Sequence, residues 1–356
     1  MVKIAVVNDT HFGVRGDSTH FLDHQEKFFS EVFFPKLDEE NIKTVIDLGD
    51  TFDRRKYVNF LTLKRAKEFF FEPMFARGIE YHGIVGNHSC YFTNTNEVNS
   101  LTLLLREYQD RYYVYPKEPF LLKKGSTDIL LVPWISKDNQ QICIDAIKNS
   151  KAHVLMGHFE IQGFEMQKGI LCDHGLQREL FAKYEAVYSG HFHHPSQLGN
   201  IKYLGAQYEM TWTDHGGKRG FHIFDTETRE LEFVENPNHM FYKLVYDDTD
   251  MTVEDLTQLP VDALKGAYIK VIIQNRTNPF LFDMFMSKIA DAGAADVKSV
   301  EDSLNLESAG VEDILDQTKN TQDILNDYID SIETDVDKKR IKNIVSSLYS
   351  EAVNIT

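Results

Sequence analysis

Hydrophobic and polar residues follow two different rhythms over roughly the first 235 residues. Three continuous apolar runs end in polar residues, as buried strands of a parallel sheet do: "KIAVVND" (3–9), "KTVIDLGD" (43–50) and "IEYHGIVGNH" (79–88). Helical spacing separates them in "FLDHQEKFFSEVFFPKLDEE" (21–40), which Pro35 disturbs near its end, and in "NFLTLKRAKEFFFEPMFARG" (59–78), which Gly78 closes. This order predicts a βαβαβ start, and "NEVNSLTLLLREYQ" (96–109) predicts a third helix.

Short strands around polar turns dominate from about residue 112 onwards, and the pattern changes again near residue 236. There, two apolar runs precede a helix with Asn278 as its N-cap, Pro279 at its first position and Gly293 at its end. We predict an α/β domain over 1–235, a small α+β domain over 236–300, an acidic linker over 301–320 and amphipathic helices over 321–356.

The tail carries two apolar stripes at helical spacing. The second of them contains Ile341, Ile344, Val345, Leu348 and Tyr349. A short helix with one apolar face must bury that face, either against the small domain or in a groove of a partner protein. Both alternatives remain open from the pattern alone.

Composition narrows the class of protein. The chain has 356 residues, 42% of them apolar, which is enough for a large core. Its three cysteines lack CxxC spacing and indicate reduced thiols in a cytosol-like compartment. No apolar stretch approaches the ~18 residues of a membrane span, and the N-terminus does not have the pattern of a signal peptide. The net charge of -17 repels polyanions, so a nucleic-acid substrate would require bound metal, a local basic patch or a basic partner.

Metal-binding residue types follow five of the apolar runs. The sets are Asp9 and His11 in "VVNDTH", Asp50 and Asp53 in "DLGDTFD", Asn87 and His88 in "IVGNH", His158 and Glu160 in "LMGHFE", and His191 and His193 in "YSGHFHH". Glycine directly precedes the first residue of four of these sets. Because α/β proteins place their sites at the carboxyl ends of strands, we expect the five sets to converge on one sheet edge.

The mixture of donors indicates a site for two cations. A carboxylate such as Asp50 can bridge two ions, and Asn87 adds a neutral oxygen that keeps the site electrophilic. Oxygen and imidazole donors without thiolate suit Mn²⁺, Fe or Zn²⁺. Two such ions, ~3.5–4 Å apart, activate a water and stabilise phosphoryl oxygens during in-line displacement. One set alone would be weak evidence, since each could be a cap or a turn; all five in this order argue strongly against coincidence.

The order DxH, GDxxD, GNH, GHxE, GHxH resembles the calcineurin-like metallophosphoesterase superfamily. Within it, the chain is similar to the nuclease subunits of SbcCD-type double-strand-break repair complexes, those of T-even-type bacteriophages above all. Three stretches outside the metal motifs support the resemblance: "LVPWI" (131–135), "YLGAQYEMTW" (203–212) and "KRGFHIFDTET" (218–228). The resemblance is good over about residues 1–235, and it implies a metallophosphoesterase β-sandwich flanked by helices, a small α+β capping domain and a C-terminal helical tail.

Residue by residue, the resemblance implies two metal sites and a catalytic histidine. The first ion would be held by Asp9, His11, Asp50 and His193, and the second by Asp50, Asn87, His158 and His191. His88 would be the catalytic histidine that is not a ligand. Ser89 replaces the usual acid after it, so we expect the carboxylate of Asp53 to lie within hydrogen-bonding reach of the His88 imidazole and to orient it.

The same resemblance implies the partners. The cofactors would be two divalent ions, Mn²⁺ first and Mg²⁺ second, and the substrate double-stranded DNA ends processed in recombination, repair and replication. The tail would dock on the coiled-coil base of an SbcC-like ABC-type ATPase, with the chain as a homodimer within a heterotetramer. The expected location is the cytoplasm, that of the host if a phage encodes the chain.

Basic residues beside the metal motifs are the candidate DNA contacts. Arg54, Arg55 and Lys56 directly follow Asp53, and Lys218 with Arg219 form a weaker second candidate. Two rival functions share the same fold: a phosphatase or small-molecule phosphodiesterase, and a non-catalytic scaffold. Scaffolds lose metal ligands, whereas all seven expected ligands are present here.

Overall fold

A computed structural model describes residues 2–108, 110–167 and 170–301, together with residues 329, 338, 340–342 and 344–345 of the tail. The predicted linker over 301–320, apart from Glu301, lies outside the described residues, as do Leu348 and Tyr349 and most of the predicted tail helices. Within the described part of the tail, Ile341, Ile344 and Val345 are helical.

Seventeen strands form four sheets within the described residues. They are β1 (Lys3–Val7), β2 (Thr44–Asp47), β3 (Glu80–Ile84), β4 (Tyr112–Tyr115), β5 (Phe120–Lys124), β6 (Thr127–Val132), β7 (Val154–His158), β8 (Glu165–Gln167), β9 (Ile170–Leu171), β10 (Ala186–Gly190), β11 (Ser196–Leu198), β12 (Ile201–Tyr203), β13 (Gly220–Asp225), β14 (Leu231–Glu235), β15 (Phe241–Asp247), β16 (Tyr268–Asn275) and β17 (Asp296–Glu301). Their spatial orders are β14-β13-β1-β2-β3-β4, β11-β12-β10-β7-β6-β5, β15-β16-β17 and β8-β9.

The helices pack around these sheets. They are α1 (Val14–Asp17), α2 (Thr19–Phe28), α3 (Phe34–Glu39), α4 (Phe60–Ala66), α5 (Glu72–Ala76), α6 (Ser100–Leu104), α7 (Gln140–Asn149), α8 (Val253–Gln258) and α9 (Pro279–Asp291). Short 3₁₀ segments occur at Arg106–Tyr108, Arg178–Phe181, Trp212–Asp214 and Asp262–Leu264. None of the helices in the described ranges is long and apolar enough to cross a bilayer.

The two six-stranded sheets pack face to face, and helices cover their outer faces. Side chains of both sheets, among them Val6, Ile46, Leu131 and Met156, form the apolar layer between them. A larger, phenylalanine-rich core lies between the first sheet and α2 to α6, and a third lies between the second sheet and α7. This arrangement confirms the predicted β-sandwich flanked by helices.

Two helices continue through a proline by widening one turn. Phe29–Phe33 and Lys67–Phe71 are π-helical and join α2 to α3 and α4 to α5. Pro35 and Pro73 lie two residues past the ends of these segments and have no N–H for the usual bond to residue i−4. The amides just before them, of Phe34 and Glu72, bond the carbonyls five residues back instead. Pro35 was expected to disturb the end of its helix, and it does so by widening a turn.

The third predicted helix is shorter than expected. The side chain of Asn99 accepts a hydrogen bond from the Thr102 amide at 2.9 Å and caps α6, which therefore starts at Ser100 and not at Asn96. Asn96 instead donates to the carbonyls of Pro116 and Trp134 and holds a loop. A helix was correctly predicted in this segment, but its expected start at Asn96 was wrong, because these side chains bond the backbone outside a helix.

The third sheet is parallel and has its own apolar core with α8 and α9. Asn278 caps α9 by accepting from Phe280 N and Leu281 N, as predicted. Contacts with the first core run through the Phe21 ring, which lies 6.1 Å from Phe241 and 5.5 Å from Tyr268. The buried Glu209 carboxylate also accepts from the Phe241 amide at 3.0 Å, which joins this sheet to the rest of the chain.

The parallel strands of the two large sheets place their carboxyl ends together. In the first sheet these strands are β1, β2 and β3, and in the second they are β7 and β10. The five predicted motifs follow these five strands. The fold therefore brings them to one edge of the sandwich.

We predict that His222 makes the fold acid-sensitive. Burial, together with the positive charge of Lys202, lowers the pKa of this β13 residue to about 3. A lowered pKa favours folding only while histidine is neutral, so stability is lost as pH falls below the unfolded value of about 6.5. Urea unfolding at pH 7 and pH 5 should show that His222→Phe loses about 2 kcal/mol less than wild type over this interval. An equal loss in both proteins would contradict the prediction.

Candidate metal centre

Main-chain hydrogen bonds between the strand-end loops build the centre. The amides of Asp9 and His11 donate to the carbonyls of Gly49 and Asp50, both at 2.9 Å. The His191 amide donates to the Asp9 carboxylate at 3.0 Å, which joins the last loop to the first. The loops are therefore fixed relative to one another by backbone contacts as well as by their side chains.

Four of the predicted ligands have a left-handed backbone. The φ angles are 49° at Asp9, 43° at His11, 56° at Asp50 and 90° at His191. Residues with a side chain seldom adopt this region, at a cost of about 1–3 kcal/mol each, and such residues cluster at functional sites. The strain turns these side chains sharply out of their strands and toward the same point.

The glycines before the ligands allow a close approach of two loops. A Cβ at Gly86 would lie 2.2 Å from Oδ1 of Asp50, and one at Gly49, where φ is 102°, would lie 2.8 Å from Gly86 N. No other residue fits either position without moving the loops. At Gly49 and Gly86, glycine is therefore required because any side chain would collide with the neighbouring loop.

The predicted ligands come together in two groups, in each of which one histidine is partly exposed and the other residues are buried. Donor atoms of Asp9, His11 and His193 lie within 4.8 Å of one another, and Nε2 of His11 is 3.2 Å from Nε2 of His193. Donor atoms of Asp50, His158 and His191 form the second group.

Asn87 completes the second group, and Asp50 connects that group to the first. Asn87 Oδ1 is 2.8 Å from His158 Nε2 and 3.1 Å from His191 Nδ1. Asp50 Oδ2 lies 3.2 Å from His158 Nε2 and 3.9 Å from His11 Nε2, so it faces both groups. This position suits a bridging carboxylate.

The donor set fits two divalent cations. Oxygen and imidazole donors aim at common points, and no thiolate is among them, which suits Mn²⁺, Fe or Zn²⁺. Ring nitrogens of His11 and His193 that face each other at 3.2 Å are the arrangement a shared cation would stabilise. The fit rests on the chemistry and convergence of the side chains.

Charges within the centre shift the pKa values of its members. Burial alone would raise the pKa of Asp50, but the neighbouring His158 and His88 charges outweigh it and hold the pKa well below the usual value. Burial likewise opposes charge on His158, yet the Asp50 carboxylate raises its pKa to about 9. Burial lowers the pKa of His88 in spite of Asp50. The acidic groups thus attract positive charge to the second group.

The prediction for Asp53 was wrong in its contact. The His88 Nδ1–H donates to the main-chain carbonyl of Asp53 at 2.6 Å, while the Asp53 carboxylate bonds His11 Nδ1 at 3.1 Å. The loop after Asp50 is held by a bond from Asp53 N to Phe12 O, which turns the side chain toward His11 and the carbonyl toward His88. Asp53 therefore contacts both rings, with different atoms.

Ser89 does not take the place of an acid at His88. Its Oγ is buried and has no hydrogen-bonding partner among the described residues. Its main chain instead accepts from Ser100 N at 3.0 Å, which ties the loop to the start of α6.

The basic residues considered as DNA contacts differ in how exposed they are. Arg54 is half-buried, 3.6 Å from the Asp17 carboxylate and over the Tyr57 ring. Arg55 Nε is buried without a hydrogen-bonding partner among the described residues, whereas Lys56 is exposed. Lys218 is exposed and paired with a glutamate.

Arg219 is only 3% exposed, so the expectation that it forms a DNA contact was wrong. It donates to Asp214 at 2.8 Å and contacts the carbonyl of His193 and the ring of His194. This buried ion pair supports the loop that carries His193. Nothing in the sequence "KRGF" indicates that Arg219 is buried; its burial is seen only in the folded structure.

Two further side chains contact the ligands: Asn8, which was not singled out from the sequence, and Glu160, which was named with its motif but without a partner. Asn8 donates to the Asp9 carboxylate at 2.6 Å and to the Gly205 carbonyl. Glu160 Oε1 lies 3.9 Å from His191 Nε2, on the side of the ring away from Asn87. The GHxE motif contains Glu160, but the partner of that carboxylate is 31 positions along the chain from it.

Comparison with known proteins agrees with this geometry. Residues 2–195 match the family model described as calcineurin-like phosphoesterase. The chain therefore belongs to the calcineurin-like phosphoesterase family, and the resemblance drawn from the five motifs is confirmed.

Particular relatives include nuclease subunits. The chain is 30% identical over 355 residues to exonuclease subunit 1 of Enterobacteria phage T4, covering 99% of each chain. It is 24% identical over 151 residues to the SbcD subunit of the SbcCD nuclease from Staphylococcus epidermidis, covering 39% of this chain and 36% of that protein. Among solved structures, a dimetal phosphatase from Danio rerio is 10% identical and covers 62% of this chain and 91% of that one, with a TM-score of 0.39.

We predict that the Asp53 carboxylate supports metal binding through His11. Asp53→Ala removes the contact with His11 but keeps the main-chain carbonyl that holds His88. Mn²⁺ titration by calorimetry should show affinity ~10–100-fold lower, as for other carboxylates behind a ligating histidine. His88→Ala serves as the control and should leave affinity unchanged. Unchanged Mn²⁺ affinity in Asp53→Ala would show that the carboxylate acts elsewhere.

Proposed function

We propose that this chain is the metal-dependent DNA nuclease subunit of an SbcCD-like complex, with exonuclease and endonuclease action on double-stranded ends. The convergence of all seven predicted nitrogen and oxygen donors on one edge of the sandwich carries the proposal. The phage exonuclease subunit, related over the whole length, supports DNA as the substrate. A phage origin, host cytoplasm as location, and roles in recombination, repair and replication are parts of the same proposal.

The proposed reaction is hydrolysis of a phosphodiester. Asp9, His11, Asp50 and His193 would hold one divalent ion, and Asp50, Asn87, His158 and His191 the other. When bound, two such ions supply an activated water and neutralise charge on the phosphoryl oxygens. Mn²⁺ is the preferred choice, with Mg²⁺ second.

His88 is the proposed catalytic residue that does not bind metal. Its Nδ1 bonds the Asp53 carbonyl, so Nε2 is the nitrogen left to exchange a proton with the leaving 3′-oxygen or to stabilise charge there. The His88 amide also donates to Asp50 Oδ1 at 2.8 Å. The ring is therefore held by its main chain and by one ring nitrogen, with its centroid 4.8 Å from that of the His11 ring.

The acidic surface indicates weak DNA binding by the chain alone. The net charge is -17, so positive potential must come from bound ions, from a partner or from local residues. Arg54, Arg55 and Lys56 are the proposed local contacts beside the centre. The third sheet with α8 and α9 is the proposed DNA-capping domain.

An exposed apolar surface supports a homodimer. Tyr57, Tyr91 and Leu103 line one shallow pocket. The Phe92 ring, 4.8 Å from that of Tyr91, is 47% exposed. Large exposed apolar side chains that lie together mark interaction surfaces, and a second copy of the chain is the proposed occupant.

The tail is the proposed docking element for an ABC-type coiled-coil ATPase. Both named nuclease relatives are subunits, which supports an assembly. Ile344 is 53% exposed, so this part of the apolar stripe is not buried in the chain. Ile329, in contrast, is buried, which agrees with partial packing of the tail on its own protein.

We predict that His88→Ala lowers kcat for linear duplex DNA with Mn²⁺ by ~10²–10⁴-fold, because proton transfer to the leaving oxygen is lost. The exposed His20, changed to alanine, is the matched control and should retain full activity. The same preparations are assayed on p-nitrophenyl phosphate. Faster turnover of that ester than of DNA would favour the phosphatase alternative, and inactivity on both with metal bound would favour a scaffold.

We also predict that Ile344→Asp weakens the complex with the ATPase of the same genome by about tenfold or more, because it places a charge in an apolar contact. Ile142→Asp, at another exposed apolar position, is the control and should not change affinity. Affinity is measured by surface plasmon resonance with each full-length subunit. Equal affinities for both variants would remove the tail from the proposed interface.

A further inference from the structure

A second cluster of metal-binding side chains lies beside the candidate centre. Glu160 follows the end of β7, and Cys172 and His174 follow β9. Main-chain bonds from Leu176 N to Glu160 O and from Gly163 N to Cys172 O, both 2.8 Å, hold the two segments together. The three side chains therefore come from two loops that the backbone already joins.

The donor atoms are close enough to share one ion. Glu160 Oε1 lies 3.1 Å from His174 Nε2, and the Cys172 sulfur completes a group whose atoms are all within 4.8 Å of one another. Tetrahedral zinc with bonds of about 2.0–2.3 Å separates its ligand atoms by about 3.3–3.6 Å. The carboxylate and the imidazole already have this spacing to within a few tenths of an ångström.

The surroundings of His174 resemble those of a ligating histidine. Nδ1 donates to Asp173 Oδ1 at 2.9 Å and Nε2 faces Glu160 Oε1 at 3.1 Å, so a cation bound at Nε2 would replace the proton there while Nδ1 keeps its own. A carboxylate behind the ring is the usual partner of a metal-binding histidine. The orientation of the ring thus has a cause outside the cluster.

Cys172 is buried and its sulfur lies 3.2 Å from the His174 carbonyl. Burial raises the pKa of this thiol, so the proton stays on sulfur unless a cation replaces it. Its location distinguishes it from Cys143, which lies in α7, and from Cys90, whose sulfur contacts Asn96.

We propose that Glu160, Cys172 and His174 form a third metal site that binds a borderline-soft dication such as Zn²⁺, with water as the fourth ligand. Thiolate distinguishes its chemistry from that of the dinuclear centre, whose donors are oxygen and imidazole only. The site is therefore selective for a different class of metal from the Mn²⁺ of the proposed reaction.

Glu160 connects the third site to the dinuclear centre. Its Oε1 lies 3.9 Å from Nε2 of His191, a predicted ligand of the second ion. An ion on Glu160 would hold the carboxylate in place and attenuate its negative charge at His191. Occupancy of the third site would also fasten the β8–β9 hairpin to the end of β7.

Cobalt spectroscopy tests the site without reference to hydrolysis. Full-length protein is freed of metal, kept reduced and titrated with Co²⁺. A thiolate ligand produces an intense near-ultraviolet charge-transfer band, which oxygen and imidazole ligands do not. We expect the band in wild type, its loss in Cys172→Ser and its retention in the matched control Cys143→Ser.

Zinc content provides the second measurement. After loading with Zn²⁺ and dialysis, wild type and Cys143→Ser should hold one more ion per chain than Cys172→Ser or His174→Gln. The His174 side chain is 57% exposed, so His174→Gln should fold even if the cysteine variant does not, which circular dichroism checks. No charge-transfer band in wild type, or equal zinc content in wild type and His174→Gln, would overturn the proposal and leave Glu160 and His174 as an ion pair.

Discussion

Asp50 is the point at which the strand-end loops meet, and the centre depends on its burial. Its carbonyl accepts from His11 N, its Oδ1 accepts from His88 N, and its Oδ2 faces His158. A buried carboxylate is costly unless hydrogen bonds and opposite charge surround it. The strained backbone angles and Gly86, which has no side chain, let the loops approach Asp50 closely enough to supply those contacts.

Much of this arrangement could be predicted from the chain. Continuous apolar runs identify the buried strands, and the polar residues after them identify the edge where ligands converge. Each strand's carboxyl end can be read from its own run, because the polar residues come after the apolar ones. The prediction of where the ligands meet therefore needs no knowledge of contacts between distant residues. Capping preferences, which are also local, correctly predicted Asn278 and Gly293 at the two ends of α9.

The details that failed depend on contacts between distant positions. Whether Asp53 reaches His88 with its carboxylate or its carbonyl is decided by the bond from Asp53 N to Phe12 O. Arg219 looks like a surface charge in the sequence, but its partners Asp214 and His193 enclose it only in the folded protein. The helix expected to start near Asn96 starts at Ser100, because Asn96 reaches two carbonyls on other loops. The spacing of hydrophobic residues along the chain does not show which distant residues contact each other.

The division of the ligands between two sheets has a consequence for biosynthesis. Asp9, His11, Asp50 and Asn87 follow strands of the first sheet, whereas His158, His191 and His193 follow strands of the second. Chains emerge from the ribosome N-terminus first, so β1 to β4 are made before the ligands of the second sheet, and β13 and β14, which complete the first sheet, are made after His193. No fragment that ends at β4 contains the whole set. The set of predicted ligands is thus complete only once the loop after β10 has been synthesised and the second sheet has packed against the first.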